Sequence, residues 1–398
     1  MRICLHTVRD LAPDFVGGTE RLLVDLAKEL TILGHEPFVV ASGIRDEFSI
    51  DGVPIIHRLP SGFREKYLRE GQANSNFLAH AVMREGDVES KLRRLGRYVD
   101  QQLQSINCDA LHLNSFATSI FAESTIDAIV MNHENDLEYD SKMGQGFTSS
   151  FASIAARRVG NLHHAEVLST PSQHYAEFYS QILGLEVRQV KCGISLTSFE
   201  RSRRRLAYRK RVNEPVNVLL PARFDPFQKG HDIALKACRE LSLRGFDVQF
   251  TFTGMRSDYE NRLQVFLDES NALGVSDMVR VRRLTDIRSG YDSCDVVVSP
   301  ERYCSYGLSI SEALSLGIPT VLSEIPTYLE IANGFGHAFF YDTENFRDLA
   351  DKIVEATSCQ PGVCNEGATD FRMQNDLRRT AVQLIEFYRG SNQNRNLS

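Results

Sequence analysis

The sequence lacks any hydrophobic stretch long enough to cross a membrane. No part of the 398 residues approaches the ~20 consecutive apolar residues that span a bilayer. The apolar run at the N-terminus, which begins Met1-Arg-Ile-Cys-Leu-His, is soon interrupted by charge and is too short for the apolar core of a signal peptide. We therefore expect a soluble protein of the cytoplasm.

The sequence also lacks paired cysteines. Its eight cysteines are scattered, none stands in a Cys-x-x-Cys pair, and only Cys359 and Cys364 are close together. This pattern excludes the common zinc-site spacings and the dense disulfide framework of a small secreted domain. We expect free thiols in a reducing compartment.

Positive charge is in slight deficit, since 45 Lys and Arg face 52 Asp and Glu, for a net charge of −7. That balance argues against a nucleic-acid-binding protein that depends on phosphate neutralisation. The exception is Arg201–Arg211, where seven of eleven residues are basic. Two interpretations stay open. This run is either a solvated helix beside a linker or a site of peripheral contact with anionic lipid at the inner membrane face, and in the second case Lys91–Arg97 would contribute to the same contact.

What the sequence does have is a regular alternation of short strand-like runs with segments of helical period. The runs are mostly apolar, as in strands that are covered on both faces, and the alternation predicts parallel sheets with crossover helices. The chain is therefore predicted to be α/β. The predicted strands are Ile3–Val8, Pro37–Ala41, Ala110–Leu113, Ala128–Met131, Glu166–Leu168, Val216–Leu220, Val248–Thr253, Val279–Val281, Val296–Ser299 and Thr320–Leu322.

The alternation is interrupted by the basic run and then begins again. At roughly 150 residues per domain, this length suggests two or three domains. We predict an N-terminal domain over residues 1–200 and a C-terminal domain over residues 212–370. A helix over residues 371–390 is expected to pack back onto the first domain.

The first candidate motif is Phe15-Val-Gly-Gly-Thr-Glu-Arg, between the first predicted strand and helix. Gly17 and Gly18 would let the backbone approach a ligand closely, and a helix N-terminus favours anions. A plain turn and cap is the other interpretation. The motif lacks the Gly-x-Gly-x-x-Gly spacing, which disfavours a nicotinamide-dependent dehydrogenase.

The second motif is Arg223-Phe-Asp-Pro-Phe-Gln-Lys-Gly-His, directly after the predicted strand Val216–Leu220. Ligands of open α/β sheets bind at the carboxyl ends of strands. Arg223 and Lys229 could neutralise a diphosphate there, with the Arg binding two oxygens at once. The alternative is a solvated charged loop.

The third motif runs from Ser299 through Gly307 into a predicted helix over residues 308–316. The amides of that helix's first turn would point at an anion. Glu312, further along the helix, could accept hydrogen bonds from two vicinal hydroxyls. An exposed helix carboxylate is the competing interpretation.

Together these motifs resemble retaining glycosyltransferases of the GT-B fold, of the family 4 type. The resemblance implies two Rossmann-like, doubly wound domains that face each other across a cleft. It covers nearly the whole chain and is more specific in the second half. The segments that carry it are Gly17-Gly-Thr-Glu, Asp109-Ala-Leu-His-Leu-Asn, Ala128-Ile-Val-Met-Asn-His, Val190-Lys-Cys-Gly-Ile-Ser with Phe199, Ala222-Arg-Phe with Lys229-Gly, and Gly307 to Glu312 with Gly317-Ile-Pro.

The resemblance also implies a role for each matched residue. Arg223 and Lys229 would hold the donor diphosphate and stabilise the departing nucleotide, and His133 would lie beside the sugar, with His112 as a weaker candidate. The predicted catalytic residues are thus Arg223, Lys229 and His133. The predicted donor-binding residues are Gly17, Gly18, Gly254, Leu284, Cys304, Ser305, Tyr306, Gly307, Leu308, Ser309 and Glu312.

The sequence departs from the family pattern at three places. Such enzymes usually carry two glutamates spaced Glu-x7-Glu, and the position eight residues before Glu312 is Cys304. Glu301 lies eleven residues before Glu312 and does not fit that spacing. The Arg223-to-Lys229 gap is one residue longer than is common, and Cys192 stands where Asn is usual.

The predicted function is transfer of a sugar from a nucleotide-diphosphate sugar to an acceptor that is a glycan, lipid-linked or small. The chain has no Asp-x-Asp, so we expect neither a metal nor another cofactor. Retention of the anomeric configuration follows from the resemblance alone. Two alternatives stay open: a nucleotide-sugar epimerase on the same fold, and a catalytically degenerate binding partner. Substitution of Arg223 or Lys229 by Ala is expected to abolish most transfer and leave folding intact.

Overall fold

The protein is described by a computed structural model over residues 1–7, 9, 11, 18–43, 48–58, 88–103, 106–114, 128–131, 165–195, 214–254, 260–282 and 287–395. The chain divides into two compact units. The first comprises Met1–Gly193 with Leu377–Ser398, and the second comprises Ile194–Asp376. Both are built on largely parallel sheets, which confirms the predicted α/β class.

The first unit contains an eight-stranded sheet among its described residues. Its strands are β1 (Arg2–His6), β2 (Glu36–Ala41), β3 (Phe48–Ile50), β4 (Val53–His57), β5 (Ala110–Leu113), β6 (Ala128–Met131), β7 (Ala165–Thr170) and β8 (Val187–Gln189). The strand order is β3-β4-β2-β1-β5-β6-β7-β8, and only the β3–β4 pair of this sheet is antiparallel. The described helices in the Met1–Gly193 part of this unit are α1 (Gly18–Ile32), α2 (Val88–Leu103) and α3 (Gln173–Leu183).

The second unit contains six parallel strands, in the order β11-β10-β9-β12-β13-β14. Its strands are β9 (Val216–Leu220), β10 (Val248–Phe252), β11 (Val279–Val281), β12 (Val296–Ser299), β13 (Thr320–Ser323) and β14 (Ala338–Tyr341). Its helices are α4 (His231–Leu243), α5 (Glu260–Ala272), α6 (Arg288–Tyr291), α7 (Leu308–Ser315), α8 (Pro326–Ala332), α9 (Phe346–Ala356) and α10 (Pro361–Gln374), with a 3₁₀ turn at Ser276–Met278. Every residue of β12 and of β13 is buried, so these strands are covered on both faces.

Strand order decides where a ligand can bind in the second unit. From β9 the chain moves outward to β10 and β11, and it then returns to place β12 on the other side of β9. The connections after β9 and β12 therefore leave the sheet in opposite directions. We call residues 221–230 and 300–307, which follow these two strands, the switch-point loops.

The predicted strands are present, with ends that shift by up to two residues. Four short strands were not predicted: β3, β4, β8 and β14. Three of these, β3, β8 and β14, lie at sheet edges, and the fourth, β4, pairs with β3. Strands β3 and β8 are only three residues long and include polar residues, so periodicity alone does not mark them, whereas β14 is an apolar run that the same pattern could have predicted.

The predicted helix over residues 371–390 is two helices, which is a correction. Helix α10 ends at Gln374, and α11 runs from Leu377 to Arg395. Between them the Asn375 amide still bonds to the Phe371 carbonyl, while its own carbonyl accepts from the Ile194 amide at 2.8 Å. That pairing turns the chain out of the helical path.

Helix α11 packs on α1 and on strands β5 and β6 of the first unit. The Tyr388 hydroxyl lies 2.8 Å from His112 Nδ1, and both side chains are fully buried. Burial lowers the pKa of His112 to about 4, so its imidazole is neutral at pH 7. In the described structure, His112 joins the last helix to the sheet.

Substitution Tyr388→Phe is expected to lower the free energy of unfolding by about 1–3 kcal/mol, because a buried imidazole nitrogen loses its hydrogen-bond partner. Urea denaturation at pH 7, followed by far-UV circular dichroism, measures the change. The ring and its packing are kept, so an unchanged midpoint would contradict this role for the hydroxyl.

Candidate functional site

The switch-point loops of the second unit bring two of the three sequence motifs together. Strands β9 and β12 are direct neighbours, with Val218 opposite Val296 and Leu219 opposite Val297. The loops that leave their carboxyl ends therefore begin side by side. This is the position where open parallel sheets bind ligands.

Two cations come from the loop after β9, and they differ in exposure. The Arg223 side chain is 48% exposed, and its Nη2 donates to Gln228 Oε1 at 2.9 Å. The Lys229 side chain is only 17% exposed, and its Nζ donates to Glu301 Oε2 at 2.6 Å. Arg223 also lies 3.5 Å from Asp225 Oδ2, so both cations have a carboxylate partner, and Arg223 is the more accessible of the two to a ligand.

The environment of Lys229 keeps its amine charged. Burial lowers the pKa of Lys229, but the nearby Glu301 carboxylate and the Cys304 side chain more than offset that effect, so the pKa lies above its usual value. Burial, reinforced by Glu301, raises the pKa of the Cys304 thiol to about 12. Cys304 is therefore a neutral thiol at pH 7.

The loop after β12 ends in a helix N-terminus. Gly307 precedes α7 in a left-handed conformation with φ of 95°, and a Cβ there would lie 2.8 Å from Tyr328 Cε1. The first amide to bond back within this helix is that of Ile310, to the Gly307 carbonyl. The Leu308 and Ser309 amides precede it, and first-turn amides of this kind are donors for an anion.

Glu312 lies on α7 and is buried, with 3% exposure. The exposed carboxylate of the competing interpretation is therefore not found. Its Oε2 accepts a hydrogen bond from the Tyr291 hydroxyl at 2.9 Å, and that hydroxyl is also 2.8 Å from the Ser309 carbonyl oxygen. Tyr291 thus fixes the Glu312 carboxylate against the first turn of α7.

Gly254 lies two residues after the end of β10, where its backbone closely approaches the backbone of the loop after β9. It has φ of 73°, and a Cβ there would collide with the Ala222 carbonyl oxygen and lie 2.8 Å from Arg223 Cα. The Phe224 amide also donates to the Gly254 carbonyl at 3.4 Å. Only glycine leaves room for this approach, which sets the path of the backbone at Arg223.

The other predicted site residues are placed as follows. Cys304 and Tyr306 are buried and Ser305 is half-buried, all in the loop before Gly307. Gly18 is the first residue of α1 and belongs to the first unit. Gly17, His133 and Leu284 lie outside the described residues, as does the basic run over residues 201–211.

Neither a metal-ligand cluster nor a membrane-spanning helix is found among the described residues. No three His, Cys, Asp or Glu side chains come together there in a way that could hold a metal ion. No helix in the same part of the chain is long and apolar enough to cross a membrane.

Comparison with protein families covers both units. Residues 16–198 match the model "Glycosyltransferase Family 4", and residues 205–373 match the model "Glycosyl transferases group 1". The two matches follow one another along the chain and leave out little of it. The chain belongs to the GT-B glycosyltransferases.

Solved structures agree with this fold. Over 98% of both chains, the glycosyltransferase superposes on sucrose-phosphate synthase of Thermosynechococcus elongatus with a TM-score of 0.72 at 16% identity. A glycosyltransferase of Rickettsia africae gives a TM-score of 0.66 at 17% identity, again over 98% of both chains. HepE of Anabaena, in complex with UDP and glucose, gives 0.65 at 16% identity, over 97% of this chain and 98% of that one.

One curated relative matches in sequence over a shorter stretch. It is WcaL of Salmonella typhimurium, which is named for colanic acid biosynthesis, and it is 26% identical over 125 residues. That alignment spans 29% of the glycosyltransferase and 30% of the relative.

Sequence analysis of the glycosyltransferase missed Glu301. Its spacing from Glu312 excluded it, yet it contacts Lys229 directly and is only 2% exposed. Its Oε1 also lies 3.4 Å from Ser299 Oγ, which in turn is 2.7 Å from the Tyr328 hydroxyl. Its position could have marked Glu301 as a site residue, because it lies two residues after the end of β12, where ligands of open sheets bind.

Arg302 was missed as well, and it fastens the two switch-point loops to each other. Its Nη1 and Nη2 donate to the Asp232 carboxylate at 2.9 and 2.8 Å, and its Nε donates to Glu344 at 2.6 Å. Its amide donates to the Gln228 carbonyl, and its guanidinium lies 4.5 Å from the Phe227 ring centroid. Gln228 is the residue that also bonds Arg223. No local pattern predicts this clamp, since its partners are 42 to 75 residues away.

Substitution Arg302→Lys is expected to destabilise the second unit by about 1–3 kcal/mol, because an ammonium cannot reproduce the planar, forked contacts to Asp232 and Glu344. Thermal unfolding measures the effect. Arg347→Lys is the matched control, since Arg347 is 71% exposed and lies 3.9 Å from Glu240. Equal losses from the two substitutions would contradict a special role for Arg302.

Proposed function

We propose that this glycosyltransferase moves a sugar from a nucleotide-diphosphate sugar to an acceptor and holds the donor diphosphate at the switch-point loops. One observation carries the proposal. Arg223, Lys229 and the N-terminus of α7 all stand on the loops that follow the neighbouring strands β9 and β12, and the Lys229–Glu301 contact joins these loops. Two cations and a row of amides at one place suit a ligand with two adjacent phosphates.

The chemistry of transfer makes these groups useful. Breaking a glycosyl–phosphate bond builds positive charge on the sugar ring and negative charge on the leaving diphosphate. Preorganised cations and amides aimed at that diphosphate lower the barrier. Since this chain supplies such groups itself, we propose transfer without a metal, and we propose retention of configuration on the family resemblance alone.

The remaining site residues have proposed roles around that diphosphate. Glu312, oriented by Tyr291, would accept hydrogen bonds from the ribose hydroxyls. Gly254 would shape the loop beside the nucleotide, and Leu284 would contact the same ligand. Cys304, Ser305 and Tyr306 would line the donor next to Gly307, Leu308 and Ser309. The predicted roles of Gly17, Gly18 and His133 beside the phosphates and the sugar rest on the family resemblance alone.

A uridine nucleotide is the first donor class to test. HepE of Anabaena has been solved with UDP and glucose and with UDP-glucose, which supports a nucleotide-sugar donor here. The acceptor stays open among glycans, lipid-linked compounds and small molecules. Peripheral membrane contact through residues 201–211 and a cytoplasmic location likewise remain proposals.

Calorimetric titration with UDP, GDP, ADP and dTDP, each with and without magnesium, tests the binding site. We expect one diphosphate to bind with the same affinity in both conditions. Incubation of the matching nucleotide sugar with candidate acceptors then tests transfer. Consumption of the donor without acceptor would favour the epimerase, and binding without turnover would favour the degenerate partner. Binding of none would overturn the assigned site.

Substitution Arg223→Ala is expected to weaken diphosphate binding and transfer by about 10- to 100-fold, the loss of one or two charge-assisted hydrogen bonds. Folding should be unaffected, because the side chain is half-exposed. Lys236→Ala is the matched control, since Lys236 lies on the neighbouring helix α4 with a 46% exposed side chain. Equal affinity of both variants for the diphosphate would remove Arg223 from the site.

Substitution Lys229→Ala is expected to lower stability as well as diphosphate binding, so it does not test binding alone. It would leave the Glu301 carboxylate buried without its cation, and breaking a buried pair in this way typically costs 3–5 kcal/mol. The expectation that both alanine substitutions leave folding intact therefore holds only for Arg223.

A further inference from the structure

The Glu301 side chain contacts Lys229 and Ser299 within the proposed donor site. Its Oε2 binds Lys229 Nζ at 2.6 Å, and its Oε1 lies 3.4 Å from Ser299 Oγ. Its backbone is held too, since Ser323 Oγ donates to the Glu301 carbonyl at 2.6 Å. A carboxylate that is anchored at both ends and nearly sealed from water has a fixed direction.

That direction matters for Lys229. A lysine ammonium has three N–H donors, and one of them is used by Glu301, which leaves two for a ligand. A free lysine side chain rotates about four bonds, so a partner that holds its Nζ removes most of that freedom before a ligand arrives. Glu301 thus preorganises the cation.

The charge on Lys229 also depends on Glu301. The titratable and charged groups around Lys229 are Arg223, Asp225 and His231 from its own side of the site, and Glu301, Cys304 and Tyr328 from the elements packed against it. Of these, Glu301 and Cys304 raise the pKa of Lys229. Burial and Arg223 both lower the pKa of Lys229. Cys304 and Tyr328 are neutral at pH 7, because burial raises the pKa of each well above that value. Burial likewise lowers the pKa of His231 to about 4, which leaves it neutral. Asp225 pairs with Arg223 at 3.5 Å, and Glu301 is the carboxylate that contacts the Lys229 ammonium.

We propose that Glu301 is the positioning residue for Lys229 and keeps its ammonium charged and aimed at the leaving diphosphate. In this role it supplies from position 301 the negative charge that position 304 lacks in this sequence. The proposal rests on the proposed transfer function. Its experiment has two arms, and the first of them does not depend on transfer.

The first arm follows Lys229 itself in the ligand-free protein. In protein labelled with ¹³C at lysine Cε, the Lys229 signal is the one that disappears in Lys229→Arg. We expect it to stay charged at pH 10.5, where exposed lysines are about half titrated. In Glu301→Gln, which keeps the shape and removes the charge, the Lys229 signal should titrate at least one pH unit lower. An equal titration midpoint in both proteins would overturn the proposal.

The second arm follows transfer against pH. Loss of Glu301 removes the larger of the two influences that raise the pKa of Lys229 and leaves only the Cys304 side chain against burial and Arg223. The Glu301→Gln enzyme should therefore lose activity at a lower pH than the wild type. We expect the alkaline limb of kcat to move down by about one pH unit or more, so that kcat at a pH on the falling limb drops about tenfold for each pH unit that the limb moves, with a smaller change in KM. Glu301→Asp keeps the charge but is one methylene shorter. It should lower kcat and leave the alkaline limb near the wild-type position.

Glu355→Gln is the matched control. It breaks a Lys–Glu pair of 2.8 Å between Lys352 and Glu355 on the exposed face of α9. We expect it to change neither the Lys229 titration nor the pH profile. If Glu301→Gln fails to fold, the wild-type titration together with Glu301→Asp still decides, because a Lys229 that loses its proton below pH 10.5 in the wild type would overturn the proposal.

The outcomes separate the two proposals. A wild-type protein that binds none of the four diphosphates overturns the proposed function and, with it, the role of Glu301 in transfer. A wild-type protein that binds and transfers, with an unmoved alkaline limb in Glu301→Gln, overturns the role of Glu301 alone.

Discussion

The pairing of β9 with β12 is the constraint on which the site of the second unit depends. These strands are far apart in sequence, and they become neighbours because β10 and β11 are laid down on one side of β9 and the later strands on the other. Their loops cannot cross the end of the sheet toward each other, so they diverge. Every group proposed to hold the diphosphate, from Arg223 to the α7 amides, stands on one of these two loops or directly after it.

Diverging loops need something to hold them in register, and charge does this here. Arg302 joins the loop after β12 to Asp232, Glu344 and the backbone at Gln228, while Lys229 and Glu301 form a second link in the reverse sense. Both links are partly or wholly withdrawn from water, so each includes a desolvation cost that its Coulomb attraction must offset. The apolar strands beneath could not fix the relative position of the loops in this way, because hydrophobic contacts are not directional.

The sequence predicted the parts of this structure that depend on local pattern. Apolar strands of four to six residues, the restart after the basic run and the helix from Leu308 all follow from period and composition. The edge strands β3 and β8 did not, because each is three residues long and includes a polar residue. The break between α10 and α11 was missed as well, because the Ile194 amide that pairs with Asn375 is distant in sequence.

The same division applies to the site. Arg223, Lys229 and Gly307 stand in motifs whose residue types and position after a strand carry meaning, so sequence could nominate them. Glu301, Arg302 and Tyr291 act through partners 18 to 75 residues away, and no spacing rule encodes such contacts. Glu301 was set aside because a carboxylate was expected at a fixed distance from Glu312. The fold requires only that a carboxylate reach Lys229, and more than one position on the loop after β12 meets that requirement.

The energetics of the Lys229–Glu301 pair bear on whether the glycosyltransferase is a catalyst or a degenerate relative. Replacing a buried ion pair by apolar side chains of similar volume is often neutral or even stabilising, so such a pair is weak evidence of a structural role. Here the pair lies where we propose that a diphosphate binds, and its geometry leaves lysine donors unused. The arrangement of charge around Lys229 is therefore better explained by an anionic ligand than by stability. This argues against a chain that has lost its ligand, whereas turnover decides between a catalyst and a partner that only binds.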